Sequence, residues 1–211
     1  MDITNKRILI LAPHTDDAEF GCGGTIAKLT EQGNDVYCVA FSACHQSVLQ
    51  DFPPDILITE IKEASGILGI LPENLFLLNF EVRTFNFKRQ EILDEILKFK
   101  NQINPDIVFL PSVNDVHQDH YTIAQEGLRA FKFCNLFSYE LPWNNLSFVS
   151  TCFSVLSEKH IEKKIQAIAE YKSQAHKKYA DPDFVRSLAI VRGTQINENF
   201  AECFEILRIT F

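Results

Sequence analysis

The chain has 211 residues, of which 46% are hydrophobic and 23% are charged. This length fits one domain, so we expect a single domain over residues 1–211 with a core of its own. The formal net charge of −8 argues against nucleic acid or an anionic membrane as a partner, because binding to either needs a basic surface. No apolar run approaches the roughly 20 residues of a membrane-spanning helix, and the polar start leads into a predicted strand rather than a signal peptide. These features predict a cytoplasmic protein.

The first half of the chain alternates between strand and helix patterns. The apolar run at 7–12 predicts a parallel strand that is buried on both faces. A helix is predicted over 25–32 and ends at Gly33. Further strands are predicted at 36–41, 75–78 and 107–110, and further helices at 56–68 and 87–99.

The second half continues this alternation. The predicted elements are a helix over 120–131, strands at 136–141 and 148–156, helices starting at Ser157 and Asp181, and a last strand at 202–211. Strands that alternate with helices predict an α/β fold with a mostly parallel central sheet and helices on both faces. Ligands of such folds bind at the carboxyl ends of the strands.

The cysteines and phenylalanines carry less information. None of the six cysteines belongs to a C-x-x-C pair, and most lie within apolar runs. We therefore expect buried, reduced thiols rather than disulfides. The 18 phenylalanines are assigned to the core or to a subunit interface, so a homo-oligomer is compatible with the composition.

Two clusters of histidine and aspartate come directly after predicted strands. Residues 14–17 follow the first strand, and residues 117–120 follow the strand at 107–110. Their candidate side chains are His14, Asp16, Asp17, His117, Asp119 and His120. An aspartate pair before a helix often serves only to cap it, and a lone His-x-x-His is more often a surface feature. Because both clusters follow strands that can be neighbours in the sheet, they together indicate a functional site.

Zinc in hydrolases commonly takes three protein ligands from histidine and carboxylate side chains and leaves one position for water. We therefore expect a metal held by two histidines and one carboxylate of these clusters. A spare carboxylate would act as general base on the metal-bound water, and a spare histidine as acid or oxyanion stabiliser. The same donor set also suits iron(II), cobalt or manganese.

These residues resemble the PIG-L/LmbE-like family of metal-dependent N-acetylglucosaminyl deacetylases. The matching motifs are His14-Thr15-Asp16-Asp17 with Gly23-Gly24-Thr25, and His117-Gln118-Asp119-His120. The likeness continues through Glu60, Tyr171-Lys172-Ser173-Gln174 and Glu202-Cys203-Phe204. It thus covers nearly the whole chain.

The resemblance implies a Rossmann-like three-layer sandwich and a zinc-dependent amidohydrolase. The implied zinc ligands are His14, Asp17 and His120. The implied catalytic residues are Asp16 as general base, His117 as acid or oxyanion stabiliser, and Asp119 in support beside His117. The implied substrate is a small amino sugar or amino-sugar conjugate that loses its N-acyl group, which is acetyl in the typical case.

The substrate-facing part departs from the family pattern. Leu57 stands where many relatives have an arginine that holds sugar hydroxyls, and Arg83 is the candidate replacement, unless it is simply a surface residue. Trp143 is a candidate wall for the sugar ring, with core or interface packing as the alternative. Asp115 stands where some relatives have a tyrosine that assists at the oxyanion.

Two other functions were weighed against deacetylation. Gly21-Cys22-Gly23-Gly24 suggests a nucleotide-binding module, but the G-x-G-x-x-G fingerprint needs glycine where Ile26 stands. The other alternative is a catalytically silent metal-binding homologue. The presence of all the expected ligands, the base and the acid argues against that alternative.

Overall fold

Seven strands form one mixed sheet in the computed structural model, which describes residues 3–210. The strands are β1 (Arg7–Ala12), β2 (Asp35–Ala40), β3 (Leu75–Leu77), β4 (Ile107–Pro111), β5 (Asn135–Tyr139), β6 (Cys152–Leu156) and β7 (Phe200–Arg208). Their order across the sheet is β3-β2-β1-β4-β5-β7-β6, and β7 alone runs in the direction opposite to the other six strands. The ends of the predicted domain and of the predicted last strand, at Met1, Asp2 and Phe211, lie outside the described residues.

Helices cover both faces of the sheet. They are α1 (Asp17–Glu31), α2 (Ile56–Leu68), α3 (Arg89–Ile103), α4 (Gln118–Ala130), α5 (Glu158–Ala169) and α6 (Pro182–Thr194). One large hydrophobic core contains residues of α1, α2 and α5, and a second contains residues of α3 and α4. The predicted three-layer α/β sandwich with a mostly parallel sheet is therefore confirmed.

The central strand β1 shows why its sequence is a continuous apolar run. Ile8 and Ile10 face one core, whereas Leu9 and Leu11 face the other. All four side chains are fully buried, as expected for a parallel strand with helices on both sides. β1 pairs in parallel with both β2 and β4, so the loops that follow β1 and β4 leave the same edge of the sheet.

The helix after β1 begins earlier than its glycines indicate. The prediction placed its start at residue 25, but α1 begins at Asp17 and is interrupted at Cys22, where φ is −149° and ψ is 24°. A Cβ atom on Gly24 would lie 2.6 Å from Cδ1 of Leu156, and one on Gly21 would overlap the ring of Tyr139. These glycines therefore allow close packing of α1 on the sheet and do not form a loop.

Several other boundaries differ from the prediction, most of all in α3 and β6. The last strand runs over Phe200–Arg208 rather than 202–211. α3 continues to Ile103, four residues further than predicted, and ends at Asn104 with φ of 49° just before Pro105. β6 begins only at Cys152 rather than at residue 148. Its length is set by the residues that pair with β7, which an apolar pattern alone does not reveal.

A buried ion pair satisfies the backbone groups that the interruption of α1 releases. The Gly24 N–H would donate to the Phe20 carbonyl in an unbroken helix. Instead, Glu202 accepts hydrogen bonds from Gly24 N–H at 3.0 Å and from Thr25 N–H at 2.7 Å. Lys164 donates to the Phe20 carbonyl at 2.7 Å and to Glu202 at 2.6 Å. β7 and α5 thereby hold the two halves of α1 together.

Glu202→Gln should lower the free energy of unfolding by about 3 kcal/mol, because it leaves the buried Lys164 ammonium without its counter-charge. Urea unfolding followed by circular dichroism measures this quantity. Lys159→Met is the control, since it removes an exposed contact with Glu31 and should hardly move the midpoint. A loss in Glu202→Gln no larger than in the control would contradict the role of the ion pair.

Four of the six cysteines match the expectation of buried thiols, whereas Cys134 and Cys152 are half-buried. All six lie within the described residues and none forms a disulfide; Cys22, Cys38, Cys44 and Cys203 are buried. Among residues 3–210, no helix combines the length and apolar character needed to cross a bilayer. The cytoplasmic location and the homo-oligomer stay predictions.

Candidate active site

The two predicted clusters meet at the carboxyl ends of β1 and β4. His14 lies in the loop between β1 and α1, whereas His117 caps the N-terminus of α4 and His120 lies in its first turn. Nδ1 of His14 is 3.1 Å from Nε2 of His120, although the two residues are far apart in the sequence. The parallel pairing of β1 with β4 produces this juxtaposition, as the sequence predicts.

Three side-chain atoms of these clusters form a compact triangle. They are Nδ1 of His14, Oδ2 of Asp17 and Nε2 of His120. The His14–His120, His14–Asp17 and His120–Asp17 distances are 3.1, 3.2 and 3.3 Å. Ligands of a tetrahedral zinc ion at 2.0–2.1 Å lie about 3.3 Å from one another. The triangle therefore has the size of one face of a zinc coordination shell.

His117 lies next to this triangle and offers an alternative donor. Ligand nitrogens of His14, His117 and His120 all lie within 4.8 Å of one another, so the three histidines also form a group that could hold a metal ion. The separations in the set containing Asp17 are shorter and match the zinc geometry more closely.

Each histidine of the triangle has a buried carboxylate on its outer nitrogen. Nδ1 of His120 is 2.8 Å from Oδ2 of Asp115, and Nε2 of His14 is 3.1 Å from Oδ2 of Asp119. Such carboxylates fix the tautomer and orientation of ligand histidines. The carboxylate of Asp119 thus contacts His14, whereas His117, which the resemblance implied as its partner, receives only its backbone N–H.

The pKa values within the cluster show that it favours a positive charge. Burial would lower the pKa of His120, but Asp17 and Asp115 raise it to about 10. Burial would raise the pKa of Asp17, but His120 and His14 hold it well below its usual range. A proton on His120 thus balances the carboxylates, as a cation between the three ligand atoms would.

His117 differs from the other two histidines because it is held neutral. Burial, with further effects of His120 and His14, lowers the pKa of His117 to about 4. Its Nδ1 accepts the Asp119 backbone N–H at 3.2 Å, which places the proton of the neutral ring on Nε2. His117 is half-buried and lines a cavity, so this Nε2–H group can donate to a bound molecule.

The neighbouring aspartates have different surroundings. Asp17 contacts the histidines, whereas Oδ2 of Asp16 lies 3.7 Å from Nζ of Lys177. Asp16 also lines the cavity. Burial raises the pKa of Asp16, and the Lys177 ammonium opposes this rise. One carboxylate is thus available to a metal and the other to a bound molecule.

The cavity beside the cluster has a volume of about 350 Å³ and an aromatic wall. The ring of Trp143 stacks on Tyr179, with centroids 3.9 Å apart and planes inclined by 8°. Phe20 packs edge-on against both rings. Arg83 lines the same cavity, and the buried Leu57 lies at its boundary. Both substrate-binding candidates from the sequence therefore border one cavity.

Several residues of the site were not recognised from the sequence. His176, Lys177 and Tyr179 reach the cavity from the segment between α5 and α6, as does Gln174, which the family likeness included without a role. No motif spacing relates this segment to the two clusters. The position of Asp115 in the sequence weakly indicated a place in the site. It lies two residues before His117 and follows β4 closely enough to reach the site.

The glycines that suggested a nucleotide-binding module do not support it. Gly21, Gly23 and Gly24 are buried within α1, and Gly24 N–H donates to Glu202. A dinucleotide-binding loop would instead present its glycines to the phosphates between the first strand and its helix. That loop here carries His14 and Asp16.

Residues 9–131 match the family model described as PIG-L: GlcNAc-PI de-N-acetylase. An uncharacterized deacetylase of Escherichia coli strain K12, YaiS, is 29% identical over 180 residues, which cover 80% of this chain and 93% of the relative. A probable N-acetyl-alpha-D-glucosaminyl L-malate deacetylase 2 of Bacillus cereus is 29% identical over 136 residues, which cover 59% of this chain and 60% of that protein.

Solved structures share the fold at lower identity. The N,N'-diacetylchitobiose deacetylase of Pyrococcus horikoshii has a TM-score of 0.81 at 21% identity, covering 96% of this chain and 84% of that one. A 4-carboxy-2-hydroxymuconate hydratase of Pseudomonas putida has a TM-score of 0.77 at 19% identity and covers 98% of each chain. The fold thus serves more than one kind of reaction. Because the family model spans more than half of the residues, the chain belongs to the PIG-L family.

Proposed function

We propose that this protein is a metal-dependent deacetylase that removes an N-acyl group, with acetyl as the first candidate, from an amino sugar or amino-sugar conjugate. The observation that carries the proposal is the triangle of His14, Asp17 and His120, with Asp16 beside it at the cavity. The family description and the names of the sequence relatives support the same reaction.

We assign His14, Asp17 and His120 as ligands of zinc, because two imidazoles and one carboxylate are a donor set of hydrolytic zinc sites. When bound, the metal lowers the pKa of a coordinated water to about 7 and polarises the substrate carbonyl. Asp115 and Asp119 keep the outer N–H groups of His120 and His14 occupied, so the inner nitrogens present their lone pairs to the metal.

Asp16 is assigned as the general base. Its carboxylate takes a proton from the water that attacks the amide carbon. It then gives that proton to the amine nitrogen as the C–N bond breaks. The ligand atom of Asp17 faces the histidines, so Asp16 is the carboxylate of the pair that remains available for proton transfer.

His117 is assigned to the carbonyl oxygen of the substrate. Because its pKa is lowered to about 4, the ring is neutral at physiological pH and donates a hydrogen bond through Nε2–H. That hydrogen bond strengthens as negative charge develops on the oxygen in the transition state. Asp119 fixes the tautomer of His117 through its backbone N–H.

Arg83 and Trp143 are assigned to the sugar. A cavity of about 350 Å³ lies within the size range of small-molecule sites. The stack of Trp143 on Tyr179 forms a rigid aromatic wall against which the apolar face of a sugar ring can pack. Arg83 replaces the arginine that is absent at Leu57 and supplies hydrogen-bond donors.

Asp16→Asn should lower kcat for deacetylation by about 10²–10⁴-fold, because the variant lacks the group that moves the proton. The measurement is acetate release from a panel of N-acetylhexosamine conjugates by protein loaded with zinc, iron(II), cobalt or manganese. Asp94→Asn on the exposed face of α3 is the control and should retain full activity. Undiminished turnover in Asp16→Asn would refute the mechanism, and metal binding without turnover of any amide would favour the silent homologue.

Asp115→Asn should weaken zinc binding by about 10–100-fold, because Asn presents no charge to the outer nitrogen of His120. Asp17→Asn should weaken it further, since it removes a proposed ligand. Competition with a chromophoric chelator measures both dissociation constants, and Asp94→Asn again serves as control. Equal affinities in all variants would contradict the ligand assignment.

In the metal-free protein, His117 should stay neutral, with its proton on Nε2, as the pH falls from 7 to about 5. The pKa of about 4 lies below the ordinary value of about 6.5, so the ring takes up its proton only at lower pH. Imidazole ¹⁵N chemical shifts report both the charge and the tautomer. A His117 ring that becomes protonated near pH 6.5 would contradict its assignment as a neutral donor.

A further inference from the structure

Both acidic and basic side chains line the cavity. Its acidic lining residues in the described part of the chain are Asp16 and Asp17, which the proposed function assigns to the base and the metal. Outside the proposed catalytic set, the cations Arg83 and Lys177 border the cavity, together with His176. The substrate side of the cavity is therefore basic, although the whole protein has a formal net charge of −8.

Arg83 differs from most arginines of the chain in lacking a carboxylate partner. Five of the seven arginines form ion pairs, namely Arg7, Arg89, Arg129, Arg186 and Arg192. Among residues 3–210, the guanidinium of the exposed Arg83 makes one side-chain hydrogen bond, of 3.4 Å to Oγ of Ser47. Its donors are thus available to a bound anion.

The backbone at Arg83 is held in an unusual conformation. Its φ is +65°, a region that non-glycine residues rarely adopt. The Arg83 N–H donates to Oδ2 of Asp119 at 2.6 Å, and its carbonyl accepts from Nε2 of Gln118 at 2.6 Å. Strained residues of this kind concentrate at functional sites. Here the first turn of α4 fixes the loop that carries the guanidinium.

Lys177 contributes a second cation, which is only partly neutralised. Its side chain is 30% exposed, and its Nζ lies 3.7 Å from Oδ2 of Asp16, beyond the length of a hydrogen bond. The ammonium also lies 5.4 Å from the ring centroid of Tyr179, in the aromatic wall. An anion bound there would find a half-buried charge that water screens incompletely.

We propose that the physiological substrate carries an anionic group, a phosphate or a carboxylate, on the amino sugar, and that Arg83 and Lys177 bind it. This inference rests on the proposed function. Guanidinium and ammonium groups both recognise these anions, and arginine can do so with two parallel hydrogen bonds. Arg83 and Lys177 then act as specificity-determining residues, and Trp143 packs against the neutral part of the sugar.

Two matched pairs of substrates test the inference with the metal-loaded full chain. One pair is N-acetylglucosamine 1-phosphate and its methyl glycoside, and the other is the 4-carboxyphenyl and phenyl glycosides of N-acetylglucosamine. We expect kcat/KM to be about tenfold or more higher for an anionic member than for its neutral partner, chiefly through KM. The preference should shrink at high salt, and the two pairs distinguish phosphate from carboxylate.

Variants connect the preference to the two cations. Arg83→Met and Lys177→Met should each reduce the anionic-to-neutral ratio of kcat/KM, and Arg83→Lys should retain part of it. Lys178→Met, which removes the exposed lysine next to Lys177, is the matched control and should leave the ratio unchanged. Equal kcat/KM within both pairs, or a ratio that neither methionine variant alters, would overturn the inference.

Binding separates a failure of this inference from a failure of the proposed function. Calorimetric titration with glucosamine 1-phosphate and with glucosamine needs no turnover. Tighter binding of the phosphate, weakened in Arg83→Met, is expected even if none of the acetylated substrates reacts. Equal binding of the two amines would overturn the inference, and turnover of neutral substrates in the same preparation would leave the deacetylase function standing.

Discussion

The parallel pairing of β1 with β4 is the constraint on which the proposed site depends. Both strands end at the same edge of the sheet, so the loop after β1 and the first turn of α4 are brought within hydrogen-bond distance. His14 and His120 could not otherwise share one ligand triangle. Asp119 ties α4 to the same place, because its carboxylate contacts both His14 and the Arg83 backbone. The proposed metal ligand His14, the carboxylate of Asp119 and the loop that carries Arg83 are thus connected by hydrogen bonds.

The proposed site also depends on the last strand of the chain. α1 begins at Asp17, and its interruption at Cys22 leaves the Phe20 carbonyl and the Gly24 N–H without their helical partners. Lys164 and Glu202 replace those partners in a buried position. The element that starts with a proposed metal ligand is therefore held by α5 and β7, which lie beyond the family match at residues 9–131.

Different parts of the proposed site carry charges of opposite sign, although the whole protein has a negative net charge. Buried carboxylates surround His14 and His120 and favour a cation between them, as the raised pKa of His120 indicates. A short distance away, Arg83 and Lys177 give the same cavity a basic wall. A protein with a negative net charge can thus have a cavity with a basic wall, because the local field is set by the nearest charged groups.

The sequence by itself determined the layered α/β fold, the glycine stops of the first two helices and the two histidine–aspartate clusters, because these features depend on periodicity and short spacings. It suggested Arg83 only as a replacement for an arginine that the family has and this chain lacks, and Trp143 only as an aromatic residue that follows a predicted strand. The tertiary structure decided that the Gly21–Gly24 run packs within α1, that Asp119 contacts His14, and that Lys177 faces Asp16. Each of these depends on distant segments approaching one another, and such approaches leave no periodic trace in the residues that make them.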